Sequence, residues 1–252
     1  MAKPILVANW KNHPNSLKEA QTLLKDLSKK RLLYKKVALF IAPPEPFLSI
    51  VVEKSTSFSQ LASQDIPALS KGSHTGEITP EILKNFGVRL SIIGHSERRA
   101  LGETPALIRE KVRVALRSGV TPLICLGEKE KDVEGEHFEL LRQEIRSLIG
   151  DLSKSEIKKV ALAYEPVWAI GKSADEAIEP NDLTQTVLFI KKALADLFGR
   201  AVADEIPVLY GGSVEPTNAV ELMKTGIRGF LVGHASLKGK SFEAIAQAIL
   251  SK

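Results

Sequence analysis

A single cysteine, Cys125, occurs in 252 residues, which excludes an internal disulfide and any metal centre built from several thiolates. Its neighbours in residues 122–126, Pro-Leu-Ile-Cys-Leu, are apolar, so it reads as a small buried core side chain. Nowhere do about 18 apolar residues run together, so no segment reads as a membrane-spanning helix. The apolar stretch at residues 5–8 is too short for the hydrophobic part of a signal peptide, and the expectation is a soluble, cytoplasmic protein. Low-complexity tracts and linkers are missing as well. Glycine and proline are spread along the chain at regular intervals, and residues 1–252 read as one domain. The formal charge of +5 could suit nucleic acid, but no basic block interleaved with aromatics is present. Lys and Arg alternate with Asp and Glu on helix-like segments, the pattern of solvated helix faces. A mild basic excess is also compatible with a small anionic substrate.

What is present is a repeated alternation. Apolar runs of strand length occur at residues 5–9, 37–41, 89–93, 122–126, 160–164, 207–210 and 229–232, with a weaker strand at 59–63. Between them lie segments of helical spacing or with helix signals: Leu17, Ala20, Leu23, Leu24 and Leu27, then residues 46–53, 80–86, 105–118, 138–149, 180–198, 216–224 and from 241 onward. Thr79-Pro80 and Thr104-Pro105 are cap-and-proline helix starts, and Gly87, Gly119 and Gly199 are stops. Uniformly apolar strands, each followed by a helix, predict a parallel sheet covered on its outer face. Eight such units in about 250 residues match a closed (β/α)8 barrel. A doubly wound open sheet is the other candidate, but Asn9-Trp10-Lys11-Asn12 follows the first strand in place of a glycine-rich dinucleotide fingerprint.

In such a barrel the site is made where the strands end, at their C-terminal side. The polar residues there are Asn9 and Lys11 after strand one, Gln64 after three, His95, Ser96 and Glu97 after four, and Glu165 after six. Tyr210 to Ser213 follow strand seven, and Gly233 with His234 follows strand eight. Glu165 ends a buried strand, where poor solvation raises a carboxylate toward the range of a general base; the alternative is an acid at a helix start. The segment after it, Pro166, Val167, Trp168, Ala169, Ile170 and Gly171, has a stiff start, large apolar side chains and a permissive end, as a lid would. His95 is followed by residues able to start a helix, which would keep its imidazole neutral and able to donate to a carbonyl. Gly211-Gly212-Ser213 and the turn at Gly233, with a short helix at 235–237, are placed to bind phosphate through backbone N–H groups. Lys11 supplies fixed positive charge, although a surface lysine is the commoner fate. No residues have metal-ligand spacing, and no cofactor is called for. The set suits moving a proton next to the carbonyl of a small phosphorylated sugar, with Glu165 as base and His95 and Lys11 stabilising the enediolate.

In family order over nearly the whole chain, seven stretches resemble the triosephosphate isomerase family. They are Asn9-Trp10-Lys11, Thr75-Gly76-Glu77, Ile93 to Arg99 (Ile-Gly-His-Ser-Glu-Arg-Arg), Cys125-Leu126-Gly127-Glu128, Ala163 to Gly171, Tyr210-Gly211-Gly212-Ser213-Val214 and Leu231-Val232-Gly233. The resemblance implies cofactor-free interconversion of dihydroxyacetone phosphate and glyceraldehyde 3-phosphate in the cytoplasm, without nucleic acid or membrane. It implies Glu165 as base, His95 as electrophile, and Asn9 and Lys11 as substrate contacts. Glu97 would hold Lys11, with Ser96, Tyr210 and Gly212 in support. Gly171, Ser213, Gly233 and His234 would offer N–H groups to the phosphate. It also implies a homodimer, in which the loop at 64–77 carries Thr75 toward the neighbour's Asn9, Lys11 and Glu97. Four departures stand out. His234 replaces a usual glycine and would be strained if the position required positive φ. Residues 172–179, Lys-Ser-Ala-Asp-Glu-Ala-Ile-Glu, replace the usual lid exit Thr-Gly-Lys-Thr-Ala. Asn12 stands where an apolar interface residue is common, and Arg228 where an Asp is common. The expectation is slower or altered lid closure with activity kept. A different phosphosugar isomerase and a non-catalytic binding barrel are the competing readings.

Overall fold

The computed structural model describes residues 3–69, 72–130, 135–169, 171 and 177–251. Eight strands, β1 (Ile5–Asn9), β2 (Ala38–Ala42), β3 (Gln60–Ser63), β4 (Val88–Ile93), β5 (Thr121–Leu126), β6 (Ala161–Tyr164), β7 (Val208–Tyr210) and β8 (Gly229–Val232), close into a barrel in chain order. All pairings are parallel. The ring is completed where Leu6 faces Phe230 and Ala8 faces Val232. The (β/α)8 expectation therefore holds. Among the described residues no helix is long and apolar enough to cross a membrane.

Around the barrel lie α1 (Leu17–Ser28), α2 (Arg31–Tyr34), α3 (Leu48–Ser55), α4 (Pro80–Asn85), α5 (Ser96–Ala100) and α6 (Pro105–Ser118). They are followed by α7 (Glu136–Ile149), α8 (Lys154–Ile157), α9 (Pro180–Phe198), α10 (Arg200–Glu205), α11 (Ala219–Met223) and α12 (Gly239–Leu250). Local chemistry accounts for several of the boundaries. At α6 the Thr104 hydroxyl accepts from the Leu107 N–H, Pro105 takes the first turn, and Gly119 ends the helix in the left-handed region at φ 72°. Such a cap satisfies orphan amides and carbonyls that the helix cannot pair itself. Thr79 and Pro80 start α4 in the same way. Three one-turn helices, α2, α8 and α10, were not expected, because a single turn shows no periodicity.

The strands are mostly apolar because both of their faces are buried; the exceptions include the exposed Gln60 and Arg89 and the buried, mutually hydrogen-bonded Ser63 and Ser91. Val7, Ala42, Ala62, Leu90, Leu123, Ala161, Leu209 and Leu231 form one cluster to which every strand contributes, the packed interior of the barrel. The alternate residues, such as Leu6, Ala8, Leu39, Ile41, Ile124 and Leu162, join the larger cluster with the helices. Period-two alternation carries this inner face up to the C-terminal rim. The step from Val7 reaches Asn9, from Ala163 Glu165, from Leu209 Gly211, and from Leu231 Gly233.

Candidate active site

Glu165 leaves the end of β6 with its side chain 3% exposed. Its Oε1 lies 3.3 Å from His95 Nε2, and its Oε2 accepts from the Ser96 N–H at 3.3 Å. Burial pushes its carboxyl above the ordinary glutamate range, while His95, the Ser96 N–H, the Cys125 thiol and Lys11 pull it back. Cys125 is the expected buried core residue, but its thiol also sits against Glu165, and burial followed by that neighbouring charge raises it strongly. Gly211 is small for a reason of space: a Cβ there would stand 2.7 Å from Glu165 Cγ.

His95 occupies the N-cap position of α5, as its sequence context suggested. Its Nδ1 accepts the Glu97 N–H at 3.2 Å, so that nitrogen presents a lone pair and the proton belongs on Nε2, facing Glu165. Glu97 Oε2 stands 3.7 Å from Nδ1, beyond hydrogen-bond reach.

Lys11 has φ 52°, and among the described residues it is the only non-glycine with positive φ. Asn9 Oδ1 accepts its N–H at 3.0 Å, and its ammonium meets Glu97 Oε1 at 2.6 Å. Its Cε passes 3.1 Å from where a Cβ on Gly233 would be, so the lysine runs along the start of the β8 turn.

Asn9, Lys11, His95, Glu165, Gly171, Gly212, Ser213, Gly233 and His234 line one cavity of about 230 Å³. His234 is not strained. The irregular backbone falls on Gly233, at φ −85° and ψ −108°, and His234 then enters a one-turn 3-10 helix, His234–Leu237. Tyr210 is fully buried, and a Cβ on Gly212 would meet its hydroxyl at 2.2 Å. That hydroxyl has the Ile178 backbone close by but, among the described residues, no partner in hydrogen-bond geometry.

The segment expected to act as a lid begins with Pro166 and a 3-10 turn, Val167–Ala169. The Val167 N–H donates to the Glu128 carbonyl at 3.0 Å. The Glu128 side chain, 6% exposed, accepts from both Tyr164 Oη at 2.7 Å and Trp168 Nε1 at 2.8 Å through Oε1. Ser213 Oγ donates to the Ala169 carbonyl at 3.0 Å, tying this segment to the turn after β7. Ile170 and residues 172–176, where the lid exit departs from the family pattern, lie outside the described residues.

Of the predicted residues, Ser96, Tyr210 and Pro166, Val167, Trp168 and Ala169 do not line the cavity, and Thr75 and Glu97 stand apart from it. Thr75 lies in an exposed turn ending at Gly76, and Glu97 lines a neighbouring groove of about 660 Å³ with Lys11, Asn12, Gln64, Glu77 and Arg98. Glu128 was within a recognised stretch but was given no role, and Gly211 was read only as part of a phosphate-binding turn. Their partners lie on β6 or just after it, and the pairing of β6 with β5 and β7 brings them together.

The triosephosphate isomerase family model matches residues 4–249. The triosephosphate isomerase of Fusobacterium nucleatum is 39% identical over 254 aligned positions, covering 98% of this chain and 99% of that one. Those of Flavobacterium johnsoniae and Carboxydothermus hydrogenoformans are 38% and 37% identical, again over nearly the full length of both chains. With its barrel, its rim residues and these matches in agreement, the chain belongs to the triosephosphate isomerase family.

Proposed function

We propose that this chain interconverts dihydroxyacetone phosphate and D-glyceraldehyde 3-phosphate, a step of glycolysis and gluconeogenesis, in the cytoplasm and without a cofactor. The observation that carries the reading is the buried Glu165 carboxylate facing His95 Nε2 over a cavity rimmed by Gly212, Ser213, Gly233 and His234. Glu165 takes the proton from the carbon beside the carbonyl. The C–H electron pair becomes the C=C bond of an enediolate, and the carbonyl oxygen takes the negative charge while accepting a hydrogen bond from His95 Nε2–H. Lys11 adds fixed positive charge close to that oxygen. The proton of the neighbouring hydroxyl passes to the former carbonyl oxygen, with the His95 imidazole lying between the two oxygens, and Glu165 returns its own proton to the second carbon as the new carbonyl forms, so no electrons enter or leave overall. Backbone N–H groups of Gly171, Ser213, Gly233 and His234 hold the phosphate, and Pro166 to Gly171 cover it, excluding water from the enediolate.

The functional unit is a homodimer. Support comes from the groove beside the cavity, lined by Lys11, Asn12, Gln64 and Glu77, and from the exposed Leu101 at its edge and the projecting turn at Thr75. A coupled assay with glyceraldehyde 3-phosphate tests the reaction. Glu165→Gln is expected to lower kcat by at least about a hundredfold with the fold intact. Full activity in that variant would remove Glu165 from the mechanism, and tight phosphoglycolate binding by the native chain without turnover would mark a binding barrel instead. Sedimentation showing an active monomer would overturn the dimer.

A further inference from the structure

We infer that Gln64 is a positioning residue that clamps the Lys11 backbone and so fixes where the ammonium enters the active site. Gln64 is the first residue after β3, half-buried, and its amide nitrogen has two N–H bonds. One donates to the Lys11 carbonyl at 2.7 Å and the other to the Ala42 carbonyl, at the end of β2, at 3.0 Å. The Ala42 carbonyl also receives the Trp10 N–H at 3.0 Å, so this one amide ties the exits of β1, β2 and β3 together.

The clamp is placed where the backbone needs one. A lysine at φ 52° is in a conformation that costs an L-residue free energy and persists only where the surroundings over-determine it. On its N–H side Lys11 is held by Asn9 Oδ1, and on its carbonyl side by Gln64 Nε2. Glu97 then fixes the far end of the side chain. Among uncharged side chains of this length, only glutamine offers two N–H donors from a single atom. Glutamate and methionine offer none, and asparagine is one methylene short.

This inference rests on the reading of Lys11 as a substrate contact, and the experiment separates the two. Gln64→Met and Gln64→Asn are each made in the native chain and in a Lys11→Gly background, and kcat/KM is measured with glyceraldehyde 3-phosphate. Folding is checked by circular dichroism and assembly by sedimentation. Glycine adopts φ 52° without strain and carries no ammonium, so it removes both things that Gln64 acts on. Either Gln64 substitution is expected to lower kcat/KM about 10- to 100-fold in the native chain, the scale of a misplaced catalytic group. In the Lys11→Gly background it is expected to change kcat/KM by less than about twofold, because the two effects share one pathway. An equal loss in both backgrounds would make Gln64 merely structural and overturn the inference, as would no loss in the native chain. A Lys11→Gly variant with native kcat/KM would instead overturn the role of Lys11 itself. The asparagine variant, smaller and still polar, keeps the test in force if the methionine variant does not fold.

Discussion

Gly211→Ala is the sharpest probe of how tightly the base is held. Gly211 is not among the positive-φ residues, so an alanine there meets no backbone strain, and the whole perturbation is one methyl group pressed on Glu165. That methyl would stand 2.7 Å from Glu165 Cγ and 3.2 Å from Oε1. Carbon atoms in contact settle at no less than ~3.5 Å, so about 0.8 Å of room has to be found. The carboxylate has little freedom to yield, with His95 Nε2 and the Ser96 N–H each 3.3 Å away and the Cys125 thiol alongside. A displacement approaching an ångström in a reacting group costs about a hundredfold in rate, or ~2.7 kcal/mol of transition-state stabilisation at 1.36 kcal/mol per decade. The overpacking itself costs stability of about 1–3 kcal/mol. The assay is kcat with glyceraldehyde 3-phosphate, run beside a thermal melt and phosphoglycolate affinity. The expected result is a folded variant with kcat down about a hundredfold and inhibitor affinity changed far less. A folded Gly211→Ala protein with native kcat would show that Glu165 has slack on that side.

Because burial raises Glu165, the acid limb of kcat/KM against pH should lie above the ordinary glutamate value of about 4.3, activity falling as the base is protonated. The sign for stability follows from the same shift. A carboxyl raised on folding binds its proton more tightly in the native state, so its ionisation costs stability as pH climbs from the unfolded value through the folded one. Glu165→Gln should therefore melt higher than the native chain at pH 7 and lose that advantage in acid; melts in a pH series check both. Lys111, its side chain 4% exposed, pairs with Asp65 at 2.7 Å and with the equally buried Glu103. Lys111→Met should destabilise by ~3 kcal/mol, the lower end for breaking a buried pair, because Arg98 remains on Glu103 at 2.9 Å. Urea denaturation measures it, and a loss within error would mean the pair contributes nothing.

The strands and long helices were legible because each leaves a signal within its own length: an unbroken apolar run, a helical period, a Thr-Pro start or a glycine stop. The one-turn helices leave almost none. Only α8 had a readable mark, the reciprocal capping of Ser153 and Glu156. In the site, Glu165, His95 and Lys11 were legible from residue type and position at strand ends. Glu128 and Gln64 were not, since their meaning lies in partners 40 and 53 positions away. The positive φ that would have strained His234 is not required there, and the preceding glycine takes up the irregular dihedral angles.

Ring closure has a consequence for how this protein matures. The first strand delivers Asn9 and Lys11, and the last delivers Gly233, and these two strands are hydrogen-bond neighbours. During synthesis β1 must wait with an unpaired edge until β8 emerges, and such an edge is open to pairing with other chains. The binding cavity straddles this final seam. A phosphorylated ligand reaching from Lys11 to Gly233 would act as a clasp on it, favouring the closed ring by mass action.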